Sequence, residues 1–107
     1  MTRGILATCY GRAVDARAGS GALEVLEEAY RGEPFVQVSK EPSSTRDTYG
    51  SNTVRVTARY DARTGHVVAL AALDNLVKGG AGQAIQAANV ALGLDETAGL
   101  PTLGLVP

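Results

Sequence analysis

The strongest signal along the chain is an unbroken apolar run over residues 66–73, HVVALAAL. A run of that length, rich in Val, Leu and Ala, predicts a strand buried on both faces. It turns at Asp74-Asn75 into a glycine-rich stretch, Lys78-Gly79-Gly80-Ala81-Gly82, and then into small residues as far as Gly93. Ala81, Ala84, Ile85, Ala88, Ala91 and Leu92 recur at three- and four-residue steps, which places them on one stripe of a helix. Gly93 suits the left-handed position that ends such a helix.

Upstream, residues 53–60 alternate. Val54, Val56, Ala58 and Tyr60 point to a core, and Arg55, Thr57 and Arg59 point away. Asp61 to Gly65 predicts a hairpin turn into the central run, with Gly65 at a left-handed position. Residues 3–10 alternate with apolar residues on both sides, which predicts an interior strand. Ser20 is placed to cap a helix over residues 21–31, whose buried stripe is Leu23, Leu26 and Tyr30. Glu27 and Arg31 are spaced for an ion pair, and Gly32 and Pro34 stop the helix. Residues 35–38 read as a short strand, residues 41–52 as a long loop and residues 100–107 as an extended tail lying on something.

The order is strand, helix, strand, strand, strand, helix, tail. That is an α+β pattern, a mixed β-sheet with helices on one face. The hairpin of residues 53–73 is expected beneath the last helix, with Val54, Val56, Leu70 and Ile85 in one core.

Composition narrows the function classes. A chain of 107 residues has room for one domain and one modest core. A net charge of −1 and a pI near 5.7 argue against nucleic acid as a partner. Five aromatics without tryptophan give no platform for stacking bases. No apolar stretch approaches the roughly 20 residues of a membrane span, and the N-terminus has no signal-peptide pattern. A single cysteine forms no internal disulfide. A cytoplasmic protein is the expectation.

Few residues invite chemistry. Cys9 is expected to be a small buried hydrophobe. His66, at a strand end, has no nucleophile indicated within reach, and one His with one distant Cys does not make a zinc site. The scattered carboxylates read as solvated faces. The glycine-rich stretch has two readings, a helix N-terminus facing a ligand or glycines that permit close packing. It lacks the third glycine of a dinucleotide fingerprint, where Ile85 stands, and Lys78 precedes the glycines rather than following them as in a P-loop. Asn75, at the strand-to-helix turn, can pair with another carboxamide, donating and accepting at once, or can cap the helix. Gln83 offers a second amide nearby, or simply faces solvent.

The stretch Asp74-Asn75-Leu76-Val77-Lys78-Gly79-Gly80-Ala81-Gly82-Gln83-Ala84 resembles the C-terminal signature of the N-acetyl-gamma-glutamyl-phosphate reductase family. These enzymes belong to the phosphorylating semialdehyde dehydrogenases, with aspartate-semialdehyde and glyceraldehyde-3-phosphate dehydrogenases. Arg3-Gly4-Ile5-Leu6-Ala7-Thr8, Glu33-Pro34-Phe35-Val36, Gly50-Ser51-Asn52, Gly93 and residues 96–100 match in order. The likeness spans nearly all the chain.

It implies part of the C-terminal domain of a two-domain reductase. Residues 1–107 would form a single partial domain, without the Rossmann domain and without the nucleophile. The family's Gly-Cys-Tyr-Pro-Thr is not matched around Cys9, nor its histidine-containing stretch around His66. The resemblance further implies NADP as cofactor, with Asn75 and Gln83 beside the nicotinamide. The substrate would be a small acyl phosphate held by the absent portions, and the parent enzyme a homo-oligomer. Two other readings stand beside it, a non-catalytic dimerisation module and a fragment of an aspartate-semialdehyde dehydrogenase.

Overall fold

Val54–Asp61 and His66–Leu73 pair antiparallel through all eight positions, from Val54 opposite Leu73 to Asp61 opposite His66. The structure, a computed structural model, describes residues 2–105. Its strands are β1 Ile5–Arg12, β2 Val36–Val38, β3 Val54–Asp61 and β4 His66–Leu73. Its helices are α1 Ala16–Ser20, α2 Ala22–Ala29 and α3 Gly82–Ala91. The strands form one mixed sheet in the order β1-β4-β3-β2, with only the β2–β3 pair parallel. The α+β architecture is therefore the expected one. Gly65 closes the β3–β4 turn at φ +72 and donates to the Asp61 carbonyl at 2.8 Å.

The two faces of the sheet are covered differently. α1 and α2 lie over β3, where the Tyr60 ring rests directly on Gly19. The opposite face is covered by the chain between β2 and β3. Arg55 pairs with Asp47 at 2.9 Å, Arg59 donates to the Lys40 carbonyl at 3.2 Å, and Thr57 between them is 2 % exposed. The residues expected to face away thus meet a loop rather than water. A parallel β2–β3 pair needs a long crossover, and this one lies back across the sheet it connects.

Several expectations are corrected. β1 is an edge strand, not an interior one, and almost all of it is exposed, Cys9 included. The first helix starts earlier than expected. Asp15 caps α1 by accepting from Ala18 N at 2.7 Å, Gly21 breaks the run, and Ser20 turns its hydroxyl to the Arg17 carbonyl instead of capping. Arg31 pairs with Glu28, one residue closer than Glu27. Val54 and Val56 lie on the helix-covered face and Leu70 on the other, because Leu70 stands opposite Thr57.

The largest correction concerns α3. It does not lie over the hairpin, and its nearest element is the π-helical turn Val77–Ala81 that leads into it. Its apolar stripe points outward, with Ile85 47 % exposed and Leu92 73 % exposed. The inward face is Gly82, Gln86 and Asn89, a second stripe at steps of four and three residues.

The only buried apolar side chains among the described residues are Phe35, Ala58 and Ala72. Thr48, Ser51, Asn52 and Asp74 are each 0 % exposed. The best-packed region is therefore a polar junction at one end of the sheet. The radius of gyration, 15.1 Å, exceeds the roughly 13 Å of a compact chain of this length. The tail to residue 105 lies on that junction, as expected. Pro101 and Thr102 accept from Asn52 N and Thr53 Oγ1, and Leu105 N donates to the Tyr49 carbonyl. Residues 106–107 of the expected tail lie outside the described residues.

Candidate functional site

The junction forms where β4 ends. Asp74 follows the last residue of the central strand, and its carboxylate gathers three other segments of the chain. Oδ1 accepts from Leu76 N at 2.8 Å and Val77 N at 2.9 Å, and from Arg3 Nη2 at 3.0 Å. Oδ2 accepts from Gly50 N at 2.7 Å and lies 2.8 Å from Arg3 Nε. Burial by itself raises the pKa of such a carboxyl. Here the Gly50 N–H, the Arg3 guanidinium and the Val77 and Leu76 N–H groups outweigh it and hold Asp74 down to about 2. Asp74 therefore caps the turn that follows β4.

That leaves Asn75 for another task. Its Oδ1 accepts from Gly4 N at 2.7 Å. Its amide nitrogen has no acceptor among the described residues, and the side chain is half-exposed. With its oxygen held by Gly4 N, the carboxamide has its NH₂ left as an unengaged donor.

The turn that follows is π-helical. Gly79 N, Ala81 N and Gly82 N donate to the carbonyls five residues back, those of Asp74, Leu76 and Val77. The glycine N–H groups are thus largely satisfied within the turn. Of the two readings for the glycines, the close-packing one is what the geometry displays, since a Cβ on Gly82 would meet Asn52 Oδ1 and, at 2.7 Å, the Val77 carbonyl.

Beside it runs a chain of side chains. Gln86 Oε1 accepts from Asn52 Nδ2 at 2.9 Å and from Lys78 Nζ at 2.6 Å, and Gln86 Nε2 donates to Glu96 Oε1 at 2.6 Å. Lys78 stands 5.4 Å from the centre of the Phe35 ring. Burial lowers its pKa, and the charges of Glu96 and Glu33 oppose that shift. Asn89 Nδ2 donates to the Glu96 and Ala98 carbonyls, which ties the return after α3 to its inner face.

Gln83 sits exposed in the first turn of α3 and its side chain makes no hydrogen bond among the described residues; the amide that the fold engages is Gln86, one turn later. His66, at the far end of β4, shares a hydrogen bond with the Thr64 carbonyl at 2.9 Å. A shallow hollow of about 350 Å³ there is lined by Tyr10, Asp61, Thr64, His66 and Val68. Cys9 and His66 are not brought to the junction. Among the described residues no three of His, Cys, Asp and Glu converge to hold a metal, and no helix is long and apolar enough to cross a membrane.

Sequence reading alone assigned no role to Arg3, Asp74, Asn52, Gln86 or Glu96. One signal was available for Gln86, because polar Gln86 and Asn89 share a stripe with Gly82 opposite the alanines.

The short stretches Arg3-Gly4, Glu33 to Phe35, Gly50 to Asn52, Asp74 to Gly82 and Glu96, far apart in sequence, meet at this junction. The chain is 46 % identical over its whole length to the N-acetyl-gamma-glutamyl-phosphate reductase of Streptomyces coelicolor, covering 32 % of that protein. It is 50 % identical to the one from Leifsonia xyli subsp. xyli and 49 % identical to that of Thermus thermophilus, covering 31 % of each. The chain thus spans about a third of the length of the curated relatives it matches. Residues 1–75, which include all four strands of the sheet, match the family described as semialdehyde dehydrogenase, dimerisation domain, and the chain belongs to that family.

Proposed function

We propose that this chain is the C-terminal part of a cytoplasmic, NADP-dependent N-acetyl-gamma-glutamyl-phosphate reductase, and that the polar junction is its contribution to the nicotinamide site. The enzyme would convert N-acetyl-gamma-glutamyl phosphate to the semialdehyde. The substrate and the attacking nucleophile would be held by portions outside this chain. By itself the chain is expected to show no turnover.

The observation that carries this reading is the state of Asn75. Its oxygen is fixed on Gly4 N and its amide N–H group is presented outward, from a turn held by Asp74. That fits one requirement of a nicotinamide, a donor for its carboxamide oxygen. When bound, the cofactor supplies a hydride. The work of this chain is then to orient the ring, which needs a donor that does not reorganise. Lys78, engaged by Gln86, shapes the wall behind the turn rather than meeting ligand.

The test is Asn75→Asp in the full-length reductase. The substitution keeps an oxygen for Gly4 N and removes the donor. The expected result is a KM for NADPH raised, or a kcat lowered, by about tenfold, as for one or two lost hydrogen bonds. The melting temperature should be little changed. Unchanged kinetics would remove the cofactor role.

A second reading concerns assembly and adds to the first. β1 is a long edge strand, and on one face of it Leu6 and Tyr10 are 50 and 72 % exposed. An uncovered edge and face of this kind invite pairing, and the family description names dimerisation. We infer a homodimer of the parent enzyme formed through this sheet. Sedimentation of Tyr10→Glu against the parent protein should show monomer; an unchanged dimer would exclude this face.

A further inference from the structure

Two adjacent residues grip two adjacent residues across 71 positions of sequence. The Arg3 side chain spans both oxygens of Asp74, and the next residue, Gly4, gives its N–H to Asn75 Oδ1 at 2.7 Å. Each half has a reason to be these residue types. Asp74 is 0 % exposed, so its charge needs a partner that reaches both oxygens. A planar guanidinium does that and an ammonium does not. Arg3 also lies 4.7 Å from the centre of the Tyr49 ring, which fixes its plane.

Gly4 has φ +111, and a Cβ there would stand 2.7 Å from Thr45 Cβ. A side chain at this position would push the Gly4 N–H off Asn75. Backbone strain and steric exclusion thus converge on the one N–H that holds the carboxamide.

We propose that Arg3 and Gly4 are positioning residues of the reductase: their clamp on Asp74 and Asn75 sets the Asn75 carboxamide with its oxygen inward and its NH₂ toward the nicotinamide. This rests on the reading of Asn75 given above. Without the clamp, the amide is free to turn over. Its oxygen would then face the ligand for part of the time, and the site would lose a donor without losing the residue. Neither Arg3 nor Gly4 touches the ligand in this scheme, so both act only through Asn75.

That dependence gives the test. Arg3→Lys and Gly4→Ala are each made in the full-length reductase, on the natural background and on the Asn75→Asp background. Steady-state kinetics with NADPH and melting temperature are measured for all. On the natural background each should lower kcat/KM by about five- to tenfold. On the Asn75→Asp background each should change it by less than about twofold, because no donor remains to be misaligned. The melting temperature should fall equally on both backgrounds.

Equal losses of kcat/KM on both backgrounds would make the clamp merely structural and overturn the proposal. So would an unchanged kcat/KM for Arg3→Lys on the natural background. Either result leaves the role of Asn75 intact. If Asn75→Asp alone leaves the kinetics unchanged, the reading of Asn75 fails and the clamp proposal fails with it. Should Gly4→Ala not fold, Arg3→Lys decides the matter, since it keeps the charge and the backbone.

Discussion

Gly82 and Asn52 touch so closely that no side chain fits between them: a Cβ on Gly82 would overlap Asn52 Oδ1, the Val77 carbonyl and Val77 Cγ1. α3 approaches the buried loop at its first residue because that residue is glycine. Gly82→Ala should cost about 1–3 kcal/mol as overpacking. Gly11→Ala, with open space around its Cβ position, should stay within about 0.5 kcal/mol. Urea midpoints of the two variants check the contrast; equal values would mean that the Asn52–Gly82 approach is not tight.

The Asp74 carboxylate makes stability depend on acid. Its folded pKa, about 2, lies below the ordinary 3.8, so its contribution is complete above the ordinary value and is lost as pH falls toward about 2. Asp61 and Asp95 also titrate low, through Thr64 and Thr97, so the whole protein weakens in acid. The difference between the natural chain and Asp74→Asn isolates Asp74. The variant should be much less stable at about pH 7 and should converge on the natural chain near about pH 2. A gap that stays constant with pH would contradict the ion pair.

Phe35 and Ile85 should behave oppositely. Phe35 is 1 % exposed and lies beside Lys78, so Phe35→Ala should cost about 3–5 kcal/mol. Ile85 is 47 % exposed, so Ile85→Ala in this chain should cost less than about 1 kcal/mol. Thermal unfolding of both variants measures this. A large loss at Ile85 would mean that its stripe is covered, for example by self-association, which a concentration series would reveal.

Gln86 and Gln83 test which amide of α3 the fold uses. Gln86→Ala leaves Asn52 Nδ2, Lys78 Nζ and Glu96 without their shared partner, and should cost about 1–3 kcal/mol. Gln83→Ala should be neutral in stability, since the Gln83 side chain is exposed. Equal effects would mean that the relay through Gln86 carries no stability.

What the sequence determined is local. The alternation in β3, the apolar run of β4 and Gly65 between them set a hairpin, because period, turn chemistry and strand propensity all act within a few residues. The glycines before α3 and Gly93 after it set the helix bounds closely, and Gly93 has φ +68 as its capping role requires. The same local logic picked out the strand, helix and turn pieces that later met at the junction.

Only the tertiary structure decided which stripe of α3 turns inward. The alanine–isoleucine stripe and the Gly82–Gln86–Asn89 stripe are both regular. The second won because a buried loop offers Asn52 and a returning chain offers Glu96 and two carbonyls. Periodicity records that a face exists and not what stands opposite it. For the same reason β1 read as interior: apolar alternation marks surface that needs a neighbour, and within this chain β1 has one on a single side. The Arg3–Asp74 and Gly4–Asn75 contacts span 71 residues, a separation at which no pattern in the sequence encodes proximity; they exist because β1 pairs with β4 in the one register that sets Ile5 opposite Leu73.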